Sequence, residues 1–376
     1  MISCFATADG TARYRDRFPE LNQAGHFRQS ARVPGASDLW LSSLGLGTYL
    51  GETDDSADAA YTEAILKALR SGVNVLDTAI NYRHQRSERN IGSALEQMIA
   101  GGLSKRDEVL VCTKAGYLSF DGEAPNDPRG YFIDEYINKG IVRPAEIAGG
   151  MHCMAPAYLE NQLERSRTNL KLETIDVFYL HNPESQLGAG VSATDFRHRL
   201  RDAFAALERA VKANKIRFYG CATWNAFRLQ ATLREAISLQ EVVAVAREVA
   251  GDAHHFRFVQ LPFNLAMPEA FAMKNQVFGN ETLSLFEVAE KAGVAVIGSA
   301  TLYQGKLTQG LPAVIRHKLG TTSDTESAIQ FARSAPGIAT ALIGMGHKEH
   351  VAANLAVASQ PLVPREQWES LFEQVA

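Results

Sequence analysis

Cysteine is scarce in this chain: four in 376 residues, Cys4, Cys112, Cys153 and Cys221, with no CxxC spacing among them. That argues against a disulfide framework or a structural zinc site and fits a reducing compartment. Cys112 and Cys221 fall inside apolar, strand-like runs, where a buried thiol behaves as a small hydrophobe. Excess charge of one sign is missing as well. With 38 Lys and Arg against 42 Asp and Glu the formal net charge is −4, so there is no basic footprint for nucleic acid or an anionic membrane surface. No uncharged apolar stretch approaches the roughly 18 residues of a membrane span. The opening "MISCFATADGTARYRDR" lacks the basic start and apolar core of a secretory signal. These absences together predict a cytoplasmic protein whose partners are small molecules, not nucleic acid or membrane. Oligomeric state leaves no trace in the composition. A phosphate loop is absent too. "GLGTYLG" places Gly45, Gly47 and Gly51 as GxGxxxG, which misses the GxGxxG spacing of a dinucleotide-binding turn.

What is present is a beat. Apolar runs recur at 44–48, 73–78 ("VNVLDT"), 109–114 ("VLVCTK"), 175–181 ("IDVFYLH"), 216–222 ("IRFYGCA"), 256–262 ("FRFVQLP"), 294–300 ("VAVIGSA") and 339–344 ("ATALIG"). Most are apolar throughout, as strands buried on both faces of a parallel sheet are. Helical periodicity fills the intervals. In "RLRDAFAALERAVKANK", Leu200, Ala203, Phe204, Leu207 and Val211 share one stripe. Gly72 and Gly293 stand where left-handed helix ends are expected, and Asp55 or Ser56 where the helix after the first strand begins. Length alone leaves one or two domains open, because α/β barrels run large. Eight β–α beats without a long break predict an α/β fold, a closed (β/α)₈ TIM barrel. Its expected extent is 42–376, behind an N-terminal extension over 1–41. In that extension "FRQSARVPGASDLWL" reads as a hairpin under the barrel floor, with Pro34-Gly35 in the turn. An insertion at about 117–156 separates the third strand from its helix, and "NLAMPEAFAMKNQVFGNETL" follows the sixth. Both leave from the carboxyl ends of strands, the face on which barrels build active sites.

Polar residues terminate three successive strands on that face: Asp77, Lys114 and His181. Neighbouring strands lie about 4.8 Å apart, so these ends converge, and Tyr82 on the loop after strand two folds over the same mouth. Asp77 and Lys114 offset each other's desolvation, which a purely structural pair would also do. A tyrosine beside that cation and near a histidine adds a chemistry: a proton donor aimed at an oxygen on which negative charge develops. A metal-dependent barrel would need several histidines and carboxylates at strand ends, but His181 is the sole histidine so placed; His254 and His255 precede strand six on the opposite face.

At these residues the chain resembles the aldo-keto reductases over roughly 40–358. "DTAINY" is similar to that family's DTAxxY, "CTKAGY" to its TKxG, "YLHNPE" to its LHxPD and "RSERNIGSAL" to its SExxLGxAL. The resemblance implies a catalytic tetrad of Asp77, Tyr82, Lys114 and His181, and an NAD(P)H-dependent oxidoreductase interconverting a carbonyl (aldehyde, ketone or sugar) and an alcohol. Tyr82 would be the general acid or base, with Lys114 lowering its pKa, Asp77 holding Lys114 in place and His181 orienting the carbonyl. A nicotinamide-binding regulatory barrel with little turnover is the alternative.

The same resemblance implies cofactor contacts from Thr48, Thr223, Gln260, Phe263, Thr301, Leu302, Gly305, Lys306, His347, Lys348, His350 and Asn354. Phe263 would stack on the nicotinamide, and "IGSATLYQGKL" would wrap the pyrophosphate. "YGCATWN" stands in place of GVSNF, so Ala222 and Thr223 replace the family's Ser and Asn. "LIGMGHKEHVAANL" resembles the turn that holds an adenosine 2′-phosphate, yet lacks arginine or lysine at Gly344, Gly346 and His350. NADP(H) is the favoured cofactor and NAD(H) the alternative; no metal is implied. Substrate contacts are expected from Tyr49, Arg83, Tyr117 and Asn182. Arg83 replaces a glycine of the family pattern, which would put a cation at the rim.

Overall fold

The computed structural model describes residues 1–373; the last three residues of the expected barrel segment lie outside them. Eight parallel strands form a closed ring: β1 (Leu44–Gly47), β2 (Val75–Asp77), β3 (Leu110–Ala115), β4 (Ile175–His181), β5 (Ile216–Ala222), β6 (Phe256–Pro262), β7 (Ala295–Ser299) and β8 (Ile338–Gly344). Each bonds to its neighbour in sequence, and β8 returns to β1. Helices α1 (Asp55–Arg70), α2 (Arg86–Ala100), α3 (Pro156–Leu170), α4 (Ala193–Lys212), α5 (Leu239–Ala250), α6 (Leu285–Ala292), α7 (Asp324–Ser334) and α8 (Lys348–Leu355) flank the ring. The fold is a (β/α)₈ TIM barrel. Its strands are the eight apolar runs of the sequence, with ends moved by no more than two residues.

The strands are apolar on both faces because both are covered. One face meets the helices in a large outer core. The other fills the barrel, where Val75, Leu110, Cys112, Val177, Tyr179, Phe218 and Phe258 pack together. The helical stripe behaves as its spacing dictates: Leu200, Ala203, Phe204 and Leu207 of α4 are buried, and Val211 is half-buried at its end. Gly72 and Gly293 end α1 and α6 with positive φ. The amino end of α1 corrects the sequence reading by one or two residues. Asp54, not Asp55 or Ser56, is the cap, and its carboxylate accepts from Ala57 N at 2.8 Å.

The amino-terminal segment closes the floor. Phe27–Arg28 pairs antiparallel with Leu41–Ser42. Between them Val33, Ala36 and Leu39 enter the apolar cluster of the barrel interior. Pro34-Gly35 sits at the centre of a turn in which Ala36 N donates to Val33 O at 3.1 Å and Gly35 has φ +74°, the dihedral sign that a type II turn demands at this position. A buried ion pair anchors the same end. Asp176, at the start of β4, accepts from Arg106 at 2.6 Å, from Ala6 N at 2.7 Å and from Val111 N at 2.8 Å. Among the described residues no helix is long and apolar enough to cross a membrane.

The insertion folds as a packed excursion. A helical turn (Pro128–Phe132) runs into a π-turn (Ile133–Ile137). Phe132 stacks on Phe120 at 4.8 Å between centroids. Tyr136 is fully buried and donates to Ser119 O at 2.7 Å. Ser119 reaches Gln162 of α3 at 3.0 Å.

Replacing Asp176 by alanine strands the buried Arg106 guanidinium and two backbone donors. Denaturant unfolding is expected to show a loss of about 3–5 kcal/mol; a loss below about 1 kcal/mol would mean that water or another group replaces the carboxylate.

Candidate functional site

Side-chain alternation sets the site's composition. Period two sends Val75 and Asp77 of β2 to the interior, with Leu110, Cys112 and Lys114 of β3 and Val177, Tyr179 and His181 of β4. The lower members of each series are apolar and fill the barrel. The uppermost are Asp77, Lys114 and His181, so the polar groups stand on top of an apolar column. Lys114 Nζ donates to Asp77 Oδ2 at 2.6 Å and to Thr78 O at 2.7 Å. Gln260 Nε2 of β6 donates to Asp77 Oδ1 at 2.7 Å. Lys114 Nζ also lies 5.0 Å from the centroid of the Tyr82 ring. Tyr82 meets His181 edge-on at 5.7 Å and Tyr49 at 5.0 Å.

The electrostatics follow from burial. Desolvation opposes the charge on Lys114, but Asp77, with Tyr82 and Cys112, more than restores it, leaving the amine above its ordinary value. Desolvation pushes the Asp77 carboxyl up, while Lys114 and Gln260 pull it back. Burial likewise raises Tyr82, and Lys114 counters only part of that rise. This corrects the expectation that the cation brings the phenol below its usual value. His181 is driven well below the normal imidazole range, first by burial and then by Lys114, so it is neutral near pH 7.

A cavity of about 1270 Å³ opens above these groups, more than the roughly 300–1,000 Å³ of a drug-sized pocket. Asp77, Tyr82 and His181 lie at its base, with Tyr49, Tyr117 and Asn182 on one wall. Asn182 Nδ2 donates to Tyr117 Oη at 3.1 Å, and the same phenol meets Ser185 Oγ at 3.1 Å. Thr48, Thr223, Gln260, Thr301, Leu302 and Gly305 also line the cavity. His347, His350 and Asn354 close the far end. Thr48 Oγ1 is bonded to Asp77 O at 3.2 Å and Thr301 Oγ1 to Leu342 O at 2.8 Å. The cavity holds buried polar atoms without a protein partner: Thr223 Oγ1, Asn81 Oδ1 and His181 Nδ1. Gly344 has no neighbour within 4 Å of where a side chain would start. A polar ligand that brings its own donors and acceptors suits this volume and its orphaned atoms.

Four expectations fail. Arg83 puts no cation at the rim, because its backbone turns left-handed (φ +47°) and carries the side chain back into the protein. The guanidinium donates to Glu52 O, Asn90 Oδ1 and Asp58 Oδ1, each at 2.7 Å, and rests on the Tyr61 ring. Phe263 is fully buried outside the barrel, stacked on Phe331 at 5.4 Å and packed against Phe286 and Trp368, so it cannot cover a nicotinamide. Lys348 is drawn to Glu63 at 3.0 Å on the outer surface. Lys306 lies over the Tyr303 ring and does not line the cavity.

The backbone around the mouth is strained. Ten described non-glycine residues have positive φ, and seven follow the carboxyl ends of β2, β4 and β7: Arg83, His84, Gln85, Asn182, Ala300, Tyr303 and Gln304. At about 1–2 kcal/mol per left-handed residue, such a run needs anchors. After Tyr82 these are the Arg83 bonds, Gly122 N donating to His84 O at 2.8 Å, and Gln85 Nε2 donating to Phe120 O at 2.8 Å. Strain of this kind collects where side chains must be aimed.

Several cavity residues escaped the sequence reading. Trp224 is an exposed aromatic on the wall, and Glu52 and Asp54 stand at the rim. Glu184 holds the Trp224 turn by accepting from Trp224 N at 2.6 Å and Asn225 N at 3.0 Å. The signal for Trp224 was its place two residues after a strand end. Among the described residues no group of three or more His, Cys, Asp or Glu is arranged to hold a metal ion.

Comparison with known proteins adds a family. The aldo/keto reductase family description matches residues 43–373. An uncharacterized oxidoreductase of Bacillus subtilis is 28% identical over 193 residues, covering 51% of this chain and 48% of that protein. An NADH-specific methylglyoxal reductase of Escherichia coli is 23% identical over 209 residues, covering 54% of this chain and 55% of that protein. The matched stretch thus spans about half the length of these curated relatives. An aldo/keto reductase of Klebsiella pneumoniae, solved with NADP and acetate, superposes with a TM-score of 0.60 at 19% identity, covering 90% of this chain and 94% of that one.

Arg83→Ala removes three charge-assisted hydrogen bonds that hold the turn after Tyr82. It is expected to lower stability by about 1.5–3 kcal/mol in denaturant unfolding while leaving the affinity of the mouth for inorganic phosphate unchanged. Intact stability with lost anion affinity would restore Arg83 to the rim.

Proposed function

The chain belongs to the aldo/keto reductase family, and on that premise we propose that it is an NAD(P)H-dependent oxidoreductase interconverting a small carbonyl compound and its alcohol, with Tyr82 as the proton donor and acceptor. The observation that carries the reading is Tyr82 seated over the Lys114–Asp77 pair and beside a neutral His181, at the base of one long cavity.

A dihydronicotinamide, when bound, would supply the hydride equivalent for the carbonyl carbon. The chain's residues manage the oxygen. In reduction the Tyr82 phenol gives its proton to that oxygen as charge develops there. The Lys114 ammonium under the ring stabilises the phenolate left behind, and Asp77 keeps Lys114 charged in a buried setting. Neutral His181 can hold the carbonyl oxygen by a hydrogen bond without competing for the proton. Because burial raises Tyr82, the phenol is protonated at neutral pH. Reduction is then supported below the Tyr82 pKa and declines as pH rises through it, whereas oxidation of the alcohol gains over the same range.

The cofactor would lie along the trough, with Thr223 Oγ1 free for a carboxamide and the turn after β7 beside the phosphates. The Klebsiella neighbour was solved with NADP, and the Escherichia coli relative is an NADH-specific methylglyoxal reductase. NADP(H) is the form we favour, with NAD(H) as the alternative. No Lys or Arg is among the described residues lining the cavity. A 2′-phosphate must therefore be met by His347, His350 and the amino end of α8, where free N–H groups favour an anion.

Two experiments test the assignment. Tyr82→Phe is expected to cut turnover of methylglyoxal or glyceraldehyde by about 10²–10⁴-fold while leaving the NADPH dissociation constant, read by fluorescence, near that of the wild type; a nicotinamide-binding regulatory barrel would show no turnover to lose. Replacing both His347 and His350 by alanine is expected to weaken NADPH several-fold and NADH hardly at all. Equal weakening of both cofactors would remove the two histidines from 2′-phosphate recognition.

A further inference from the structure

Both ends of the insertion cross over His181. Gly116 and Tyr117 lead away from β3, and Met151, His152 and Cys153 return beside them. Leu118 N donates to Met151 O and Cys153 N to Gly116 O, each at 2.8 Å. At the centre of this neck His152 is 2% exposed, with Nε2 2.8 Å from the main-chain oxygen of His181. Its other ring nitrogen, Nδ1, lies 2.7 Å from Gln186 Nε2.

The far end of this chain of hydrogen bonds fixes their direction. Arg199 only donates, and its Nη1 lies 2.5 Å from Gln186 Oε1. The amide oxygen of Gln186 therefore faces Arg199 and its NH₂ faces His152. An NH₂ donates, so His152 Nδ1 accepts. The proton of the neutral ring must then sit on Nε2, where it is donated to His181 O. Burial lowers the His152 pKa to about 4, which keeps the ring in this single-proton form at neutral pH.

The approach to His181 is built in from every side. A side chain on Gly116 would start 2.4 Å from His181 O and 2.8 Å from His152 Nε2, so only glycine allows the imidazole to reach the carbonyl. The Tyr117 ring stands edge-on to both histidines, at 5.2 and 5.3 Å. On the far side Asn182 N donates to Ala222 O at 2.6 Å, with Asn182 at φ +48°. The peptide joining His181 to Asn182 is thus held by its oxygen from the insertion and by its nitrogen from β5.

We propose that His152 is a positioning residue for His181: the Nε2–H of the insertion's histidine fixes the His181–Asn182 peptide and, through it, the angle at which the His181 ring meets the substrate oxygen. This rests on His181 being the group that orients the carbonyl in the proposed reaction. It makes the insertion a working part of the active site, where its length alone suggests a lid or a subunit contact.

The test compares two variants in the full-length protein. His152→Phe keeps a flat ring and removes the donor; His152→Gln keeps an N–H donor. With NADPH and glyceraldehyde as probes, His152→Phe is expected to lower kcat by about 10–100-fold, the scale of a misplaced reacting group, with the NADPH dissociation constant unchanged. His152→Gln is expected to recover most of that loss. Wild-type kcat in a folded His152→Phe overturns the proposal, as does an equal loss in both variants, which would assign His152 to packing alone. Should His152→Phe fail to fold, the ¹⁵N spectrum of histidine-labelled wild-type protein decides: a protonated Nε2 on His152 is expected, and a protonated Nδ1 overturns it. A wild-type protein that binds no nicotinamide cofactor and reduces no probe overturns the function first and the positioning role with it, whereas an active wild type with an equally active His152→Phe overturns the positioning role alone.

Discussion

The ion pair between Lys114 and Asp77 is the constraint around which the mouth of this barrel is arranged. Two charges without access to water cost several kcal/mol each in lost hydration, and only close geometry with further hydrogen bonds offsets that. Asp77 has both oxygens engaged, one by Lys114 at 2.6 Å and one by Gln260 at 2.7 Å. Gln260 sits on β6, four strands from β2 in either direction around the ring. The carboxylate is therefore held from an adjacent strand and from the opposite wall, and this becomes available only when the barrel closes. Tyr82 and His181 take their electrostatic character from the same pair: one has a cation under its ring, and the other stays neutral partly because that cation is near.

Holding a tyrosine over such a pair requires a backbone that ordinary turns do not supply. The chain leaves Tyr82 through three consecutive left-handed residues, none of them glycine. The strain is offset by polar anchors on both sides. Arg83 ties the turn to α1 and α2 through Asp58 and Asn90, and Gln85 and His84 tie it to the insertion. An arginine in a position that looks like a rim cation is thus spent on backbone geometry, and the cavity is left with carboxylates at its edge and no lysine or arginine among its described lining residues.

The insertion belongs to this arrangement. Its neck supplies Tyr117 to the cavity wall and His152 to the His181 peptide, while its aromatic body packs through Tyr136 and Ser119 onto α3. The part of the chain least legible by periodicity therefore meets the group that would orient the substrate oxygen.

The sequence by itself determined the ring of eight strands, because burial on both faces leaves an apolar run that needs no knowledge of the partner strand. It also placed Asp77, Lys114 and His181 at strand ends, where period-two alternation brings them to one mouth, and Pro34-Gly35 in a turn whose dihedrals that pair favours. Tertiary structure decided whatever depended on the direction of a side chain. Arg83 points inward because its φ is positive, Phe263 faces the helices because Phe286, Phe331 and Trp368 surround it there, and Lys348 turns outward to Glu63. The Tyr82 phenol is pushed above its usual value because burial outweighs the cation beside it, a balance no residue list contains. His152 meets His181 across a loop of no regular period, through a gap that only Gly116 leaves open. Local pattern carries the strands, since each run's burial is written in its own residues; the contacts between distant loops arise only once the closed barrel has brought its strand ends together.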